Sequence, residues 1–383
     1  MSNLNEHHGA ERADASRTAD ACARESVKRL DAGGFGRDCE DLHAEFKAAV
    51  ECLSGGTNTV LLDDVGMPSV MVRVESMMLP DLMDSTADGL HPAFVADGKP
   101  VGAIYYSKYQ NIVRNGRGYS LPLKDPQTHV TYDEARVYCA AKGAGWGLTP
   151  YSLRAALALW TRRNGTMPRG NNDGGHDFFH PEEAGLPTEG GRVATGSGPL
   201  AWAHNGRLDG IYDLNGNMNE WDDGLRVVDG EIQLVPGADC MLAGTDLTAD
   251  SPRWRVILPD GSLVAPGTPG TLRFRGHEGG IRLTASGSGE PGRFNCAFHA
   301  IGADEGVAVP MLLKALALFP ETEQDTYGGW RWLETRGECM PICGGAHRAV
   351  DHAGVFFMGL TFPRTHEYEL SGFRCAYLPN AAD

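Results

Sequence analysis

The sequence predicts an α+β fold with long loops, a β-rich insertion and a separate N-terminal helical segment. Three observations carry that expectation. Short β-rich runs at 59–62, 69–74 and 101–107 are separated by Gly, Pro and Asp turns. Amphipathic helical stretches with their own start and stop signals follow them. A long tract at 168–203 is rich in Gly, Pro, Asn and Ser, the composition of ordered loop lying over a domain surface.

Residues 1–56 form a region of their own, Ala- and charge-rich, broken by Gly33-Gly34 and closed by Ser54-Gly55-Gly56. It is expected to be helical and partly disordered. From Asp38, an N-cap residue type, Leu42, Phe46, Val50 and Leu53 recur at helical spacing. One face of that helix must pack on the main domain or on a neighbouring copy.

Residues 57–383 read as the main domain. The stretch 131–142 predicts a helix with Thr131 as cap, Glu134 closing a capping box, and Gly143 and Gly145 ending it. A second helix over 152–163 carries Leu153, Leu157 and Trp160 and stops at Asn164-Gly165. Two hairpins follow, turning at Asp229-Gly230 and at Asp260-Gly261, within a β-rich insertion expected over 225–308. A last helix over 309–319, closed by Pro320, precedes the C-terminal segment.

The 383 residues include 42% hydrophobic and 22% charged positions, enough to bury a real core in one large domain or two smaller ones. A formal charge of −16 argues against nucleic acid as partner, since phosphate binding needs clustered Lys and Arg. No run approaches the roughly 18 apolar residues of a membrane span. The N-terminus MSNLNEHHGAERADAS is polar where a signal peptide is apolar, so synthesis in the cytoplasm is expected. Nine cysteines, scattered without dense regular spacing, read mostly as reduced, buried thiols.

The segment 344–378, GGAHRAVDHAGVFFMGLTFPRTHEYELSGFRCAYL, sets chemically miscellaneous side chains between fixed-looking points: GG, AGVF, PR and GFR. Its aromatic and ionisable residues follow neither a helical period nor a clean period of two. A core would be more apolar, and a disordered tail would lack the aromatics. Such a frame suits a binding surface more than an active site.

Three motifs give the segment a setting. Residues 210–221, GIYDLNGNMNEW, resemble the G-N-x-x-E-W signature of the formylglycine-generating enzyme (sulfatase-modifying factor) superfamily. GWGLTP at 145–150 is similar to that superfamily's step into its next helix, and GFRCA at 372–376 to its C-terminal G-F-R. The resemblance implies a C-type-lectin-like fold over roughly residues 60 to 378. Within the superfamily the chain resembles the variable proteins of diversity-generating retroelements, common in phages and prophages. Gly344-Gly345, 353–356, Leu360, Pro363-Arg364 and 372–374 fall in step with their C-terminal pattern. The likeness extends to 91–111, to MPRGNN at 167–172 and to the VPMLLKALALFP stretch. Two positions depart from the pattern: His347 and Asn219 stand where family members usually carry Trp.

In that family, reverse transcription rewrites adenine positions of template codons, often asparagine codons, and 344–378 contains no Asn. The resemblance therefore implies a non-catalytic, diversified ligand-binding surface. Its expected contact residues are His347, Arg348, Asp351, His352, Phe357, Thr361, Phe362, Thr365, His366, Glu367, Tyr368 and Glu369. Gly344, Gly345, Phe356, Pro363, Gly372, Phe373 and Arg374 are expected to be scaffold. The implied partner is an unidentified protein or cell-surface ligand, met from a virion or a cell surface.

The alternative is a formylglycine-generating-type oxidase or another metal-dependent enzyme of the superfamily. Those oxidases bind copper through two cysteines just after the double glycine, and thiolates suit soft Cu(I). Here Ala346, His347, Arg348, Ala349 and Val350 occupy that stretch, while Cys339 and Cys343 lie upstream of the glycines. An iron site would draw on His347, His352 and His366, though histidine is also among the residues that rewritten codons produce. Ca²⁺ is the cofactor the resemblance offers, with Asn217 and Glu220 as oxygen ligands; the alternative is that Asn217 satisfies turn backbone and Glu220 pairs with a buried Arg. The Gly-rich 286–292 has no following Lys-Ser/Thr, so no phosphate loop is read there.

Overall fold

A computed structural model describes residues 39–84, 88–278, 280–287 and 291–379. Most of the expected N-terminal helical region, with its cap Asp38, lies outside the described residues. What is described of it is the helix Cys39–Ser54. Its C-terminal end docks on the first strand, where Thr59 Oγ1 donates to Glu51 Oε1 at 2.7 Å. Leu42 and Leu53 stay exposed, at 48% and 55%, so only part of the apolar stripe is covered by the domain.

A five-stranded antiparallel sheet runs in the order Asn58–Leu62, Pro68–Glu75, Ala103–Ser107, Cys375–Tyr377, Trp146–Leu148. The last strand of the chain is thus inserted between two early ones, so the sheet is complete only when the C-terminus has arrived. Val72, Val74, Ile104, Tyr106 and Ala376 bury one face of it. The helix Tyr132–Ala140 closes on it with the predicted capping box: Thr131 Oγ1 accepts from Glu134 N at 3.1 Å, and Thr131 N donates to Glu134 Oε2 at 2.9 Å.

The helix Tyr151–Arg163 forms as read and is buried on every side as far as Leu159, which makes it a core helix. A thirteen-stranded mixed sheet holds most of the remaining strands. In it, Met358–Phe362 lies between Trp330–Glu334, to which it is parallel, and Glu338–Cys343, to which it is antiparallel. The hairpin Leu225–Val228/Glu231–Leu234 turns at Asp229-Gly230 with φ of 49° and 80°, the left-handed pair a two-residue turn requires. Leu225–Val228 pairs with Glu338–Cys343, so the strands of the 225–308 insertion extend the same sheet.

One expectation is corrected. The helix expected over 309–319 forms only at Met311–Ala315. Ala317 enters the left-handed region at φ 47°, and its carbonyl turns away to accept from Arg331 Nη2 and from the Tyr151 hydroxyl. The tract 168–203 is ordered loop, as read. Its buried Asn171, Asn172 and Asp177 bond backbone groups, and the tract contains short 3₁₀ turns at Glu189–Gly191 and Leu200–Trp202 and isolated β-bridges such as Pro187 with Val193.

The recognisable motifs meet at one buried ion cluster. Arg374 of GFR donates through Nε to Glu220 Oε2 at 2.8 Å and through Nη2 to Glu220 Oε1 at 3.1 Å. Arg154, from the helix after GWGLTP, donates to Glu220 Oε2 and, through Nε at 2.6 Å, to Asp222 Oδ2. Gln110 adds a donor to Glu220 at 3.0 Å. The spare guanidinium hydrogens of Arg374 reach the carbonyls of Ser107, Lys108 and Tyr212. Burying ions is costly unless all their partners are present, so the loss of one member is severe. Glu220→Gln is expected to lower the unfolding free energy by about 3–5 kcal/mol in urea melts, as removing one partner of a buried pair does; a loss below about 1 kcal/mol, the range of an exposed pair, would contradict this role.

Candidate functional site

The segment 344–378 is built on buried fixed points. Gly344 and Gly345 have φ of 86° and 81°, and a Cβ on Gly345 would stand 2.8 Å from that of Ala353, so the double glycine is sterically required. Phe356 stacks on Phe298 at 5.3 Å between ring centroids and meets Tyr327 edge-on at 5.1 Å. Arg364 grips Glu338 with two bonds of 2.7 Å, and Glu338 also accepts from Arg226 at 2.6 Å. Pro363, expected as scaffold, is exposed; its carbonyl accepts from His366 N at 3.0 Å and shapes the turn after Met358–Phe362.

Between these points the expected contact residues come outward. Arg348, Asp351, Thr365, Glu367 and Glu369 are exposed, and His352, Phe357, Thr361, Phe362, His366 and Tyr368 are half-buried. They form linked groups. His366 stacks on Phe362 at 4.2 Å with rings 3° from parallel, and Tyr368 lies 5.2 Å from Phe362. Arg348 pairs with Glu369 at 2.9 Å, tying the start of the segment to its far limb. These are exposed partners, so the pair shapes the surface more than it stabilises the fold.

His347 is the exception and corrects the expectation that it contacts a ligand: only 2% of it is exposed. Its backbone N donates to Asn217 O at 3.1 Å, its Nδ1 lies 3.2 Å from the same oxygen, and its own carbonyl accepts from Gly174 N. Burial, the largest cause, holds its pKa below the ordinary histidine value, so the ring is neutral at pH 7. Position 347 is thus a packing position.

Two residues of this surface lie outside the segment. Trp330 and Trp332, both half-buried, stand on the strand parallel to Met358–Phe362, and His352 packs on them with ring centroids at 4.1 Å and 5.9 Å. Trp332 is opposite Gly359, a position without a side chain to cover it. The alternation Trp330-Arg331-Trp332, with Arg331 buried between them, was the signal for an outward aromatic face.

The metal readings meet occupied side chains. Both oxygens of Glu220 accept from guanidinium and amide donors, as described above. The Asn217 amide donates to Gln110 Oε1 at 3.0 Å and Val193 O at 3.1 Å, and its oxygen accepts from Asn171 Nδ2 and Val193 N. Asn217 and Glu220 therefore do not fit a Ca²⁺ ion in this arrangement. His347, His352 and His366 sit in three different environments, bonded to Asn217 O, packed on Trp330 and stacked on Phe362. No group of three or more His, Cys, Asp or Glu is placed to hold a metal among the described residues. Cys339 and Cys343 are free and buried, and burial pushes both thiols up in pKa, away from the thiolate a soft metal needs. No helix among the described residues is long and apolar enough to cross a membrane.

No family model matches the chain, and no curated protein matches it. Among solved structures, that of PvdO from Pseudomonas aeruginosa is similar at 14% identity and a TM-score of 0.32, over 84% of this chain and 98% of that one. The architecture itself is α+β, with a few helices and a large mixed sheet.

The motif 210–221 also carries a pH signature. Burial lifts the Asp213 carboxyl to about 6, against the pull of Arg374 and the Gly196 N–H. The folded protein then takes up a proton near pH 6 that the unfolded chain takes up only near pH 4. More protons on the folded state mean that this group's contribution to stability grows as pH falls from about 7 to about 4. Urea unfolding across that window should show the Asp213→Asn variant lacking this acid-side gain relative to wild type; parallel pH profiles would contradict it.

Proposed function

We propose that the chain is a non-catalytic ligand-binding protein: a C-type-lectin-like scaffold that presents a retroelement-diversified surface, 344–378, to a protein or cell-surface ligand. One observation carries the reading. Of the twelve side chains read from sequence as contacts, all but His347 reach solvent, while the double glycine, Phe356, Gly372, Phe373 and Arg374 between and beyond them are buried. A segment that separates shape-holding from exposed residues in this way tolerates rewriting without unfolding. The fold part of the reading is supported by the convergence of GWGLTP, GNMNEW and GFR on the one Glu220–Arg374–Arg154 cluster.

The exposed chemistry suits macromolecular recognition. Phe362, Tyr368, Trp330 and Trp332 offer large, rigid contact area, and Arg348, Asp351, Glu367 and Glu369 offer adaptable hydrogen bonding around it. Phage or prophage recognition of a host or neighbouring cell is the setting that the resemblance to retroelement variable proteins implies.

The genomic neighbourhood tests it. We expect a reverse transcriptase beside a near-identical repeat of the 344–378 coding sequence, differing from it at template adenines. Those differences should fall in codons of the exposed positions and spare the codon of His347. Flanking DNA with neither feature would end the diversification reading.

A further inference from the structure

One residue beyond Arg374, the chain brings two thiols together. Cys139 Sγ, on the helix Tyr132–Ala140, lies 2.7 Å from Cys375 Sγ, on the strand Cys375–Tyr377. Both residues are free and wholly buried. The Cys375 sulfur is closely held. Asn111 Nδ2 donates to Cys375 Sγ at 3.1 Å, and a Cβ built on Gly118 would stand 2.8 Å from that sulfur. Lys142 lies just beyond the helix, fully buried, with its Nζ on Ser69 Oγ at 2.6 Å and over the Trp146 ring at 3.5 Å. Among the described residues it makes no ion pair with a carboxylate, and its charge acts on both sulfurs. Burial pushes the Cys139 thiol well up in pKa against the pull of Lys142, so the thiolate that reacts in disulfide exchange forms when the pair is exposed.

We infer that Cys139 and Cys375 are a modification site, closed into a cross-link by a low-molecular-weight disulfide such as oxidised glutathione. One cysteine thiolate attacks a glutathione sulfur, forming a mixed disulfide and releasing a glutathione thiolate. The second cysteine thiolate attacks the cysteine sulfur of that mixed disulfide and expels the other glutathione. The two thiol protons end on the two glutathiones, and two electrons pass from protein to glutathione. Because the pair is buried, exchange takes place during folding or when the helix–strand contact opens.

The cross-link spans a sequence separation of 236 and falls one residue after Arg374. It fastens the end of the presented segment to the helix that closes the five-stranded sheet, adding a covalent constraint beside the ionic one. It does not depend on the ligand-binding reading.

The test uses the full chain, refolded from urea either with oxidised glutathione or with dithiothreitol, then alkylated, digested and mapped by mass. The oxidised sample should yield a peptide joining Cys139 to Cys375. The oxidised-minus-reduced difference in melting temperature should be larger in wild type than in Cys139→Ala by something on the order of 5 °C. Recovery of both cysteines alkylated from the oxidised sample would overturn the inference, as would equal melting differences in the two proteins. If Cys139→Ala does not fold, the wild-type peptide map decides alone.

Discussion

The carboxylate of Glu220 is the point on which the rest of the structure depends. It is fully buried and receives Arg374 from the last strands, Arg154 from the core helix and Gln110 from the loop after Ala103–Ser107. Those donors come from sequence separations of 154, 66 and 110 residues. A buried carboxylate with fewer partners would shed its charge or unfold the site, whereas with these partners its pKa lies below the ordinary value even though burial pushes the other way. The cluster therefore acts as a registry pin. It forms only when the C-terminal strand is seated between Ala103–Ser107 and Trp146–Leu148, and that seating fixes the C-terminal anchor of the presented segment.

From this pin the surface follows. The two ends of 344–378 are anchored separately, by Gly344 bonding near Leu214 and Gly216 and by Arg374 at the cluster. Arg364, on Glu338, anchors the middle. Between anchors, side chains such as Asp351, Thr365, Glu367 and Glu369 are exposed to water, while Arg348, also exposed, donates through Nε to the buried His347 Nε2 at 3.2 Å. The aromatic floor of Trp330 and Trp332 belongs to a strand outside the segment, and His352 packs on it.

Much of this was legible in the sequence, and for identifiable reasons. Thr131 and Glu134 announce a helix start through local chemistry, and Asp229-Gly230 announces a turn through its backbone demand; both formed as read. Glu220 was legible as polar and placed, but the choice between pairing with a buried Arg and binding Ca²⁺ depends on where Arg154 and Arg374 lie in space. The overlong helix at 309–319 failed because its stop signal, the left-handed Ala317, is imposed by Arg331 and Tyr151 from elsewhere in the chain. His347 was misplaced because a histidine between glycine and arginine carries no mark of burial; only the covering loop, through Gly174 and Asn217, reveals it. The two tryptophans were missed because a W-R-W alternation shows which residues share a face but not which face meets the segment.

The central claim is that shape and presentation are divided between different residues of 344–378. A saturation substitution scan of that segment, read by protease resistance of the displayed protein, tests it most directly. The account predicts broad tolerance at 348, 351, 352, 357, 361, 362 and 365–369 and sharp intolerance at 344, 345, 347, 356 and 372–374. Tolerance spread evenly along the segment, or intolerance concentrated at the exposed positions, would contradict it.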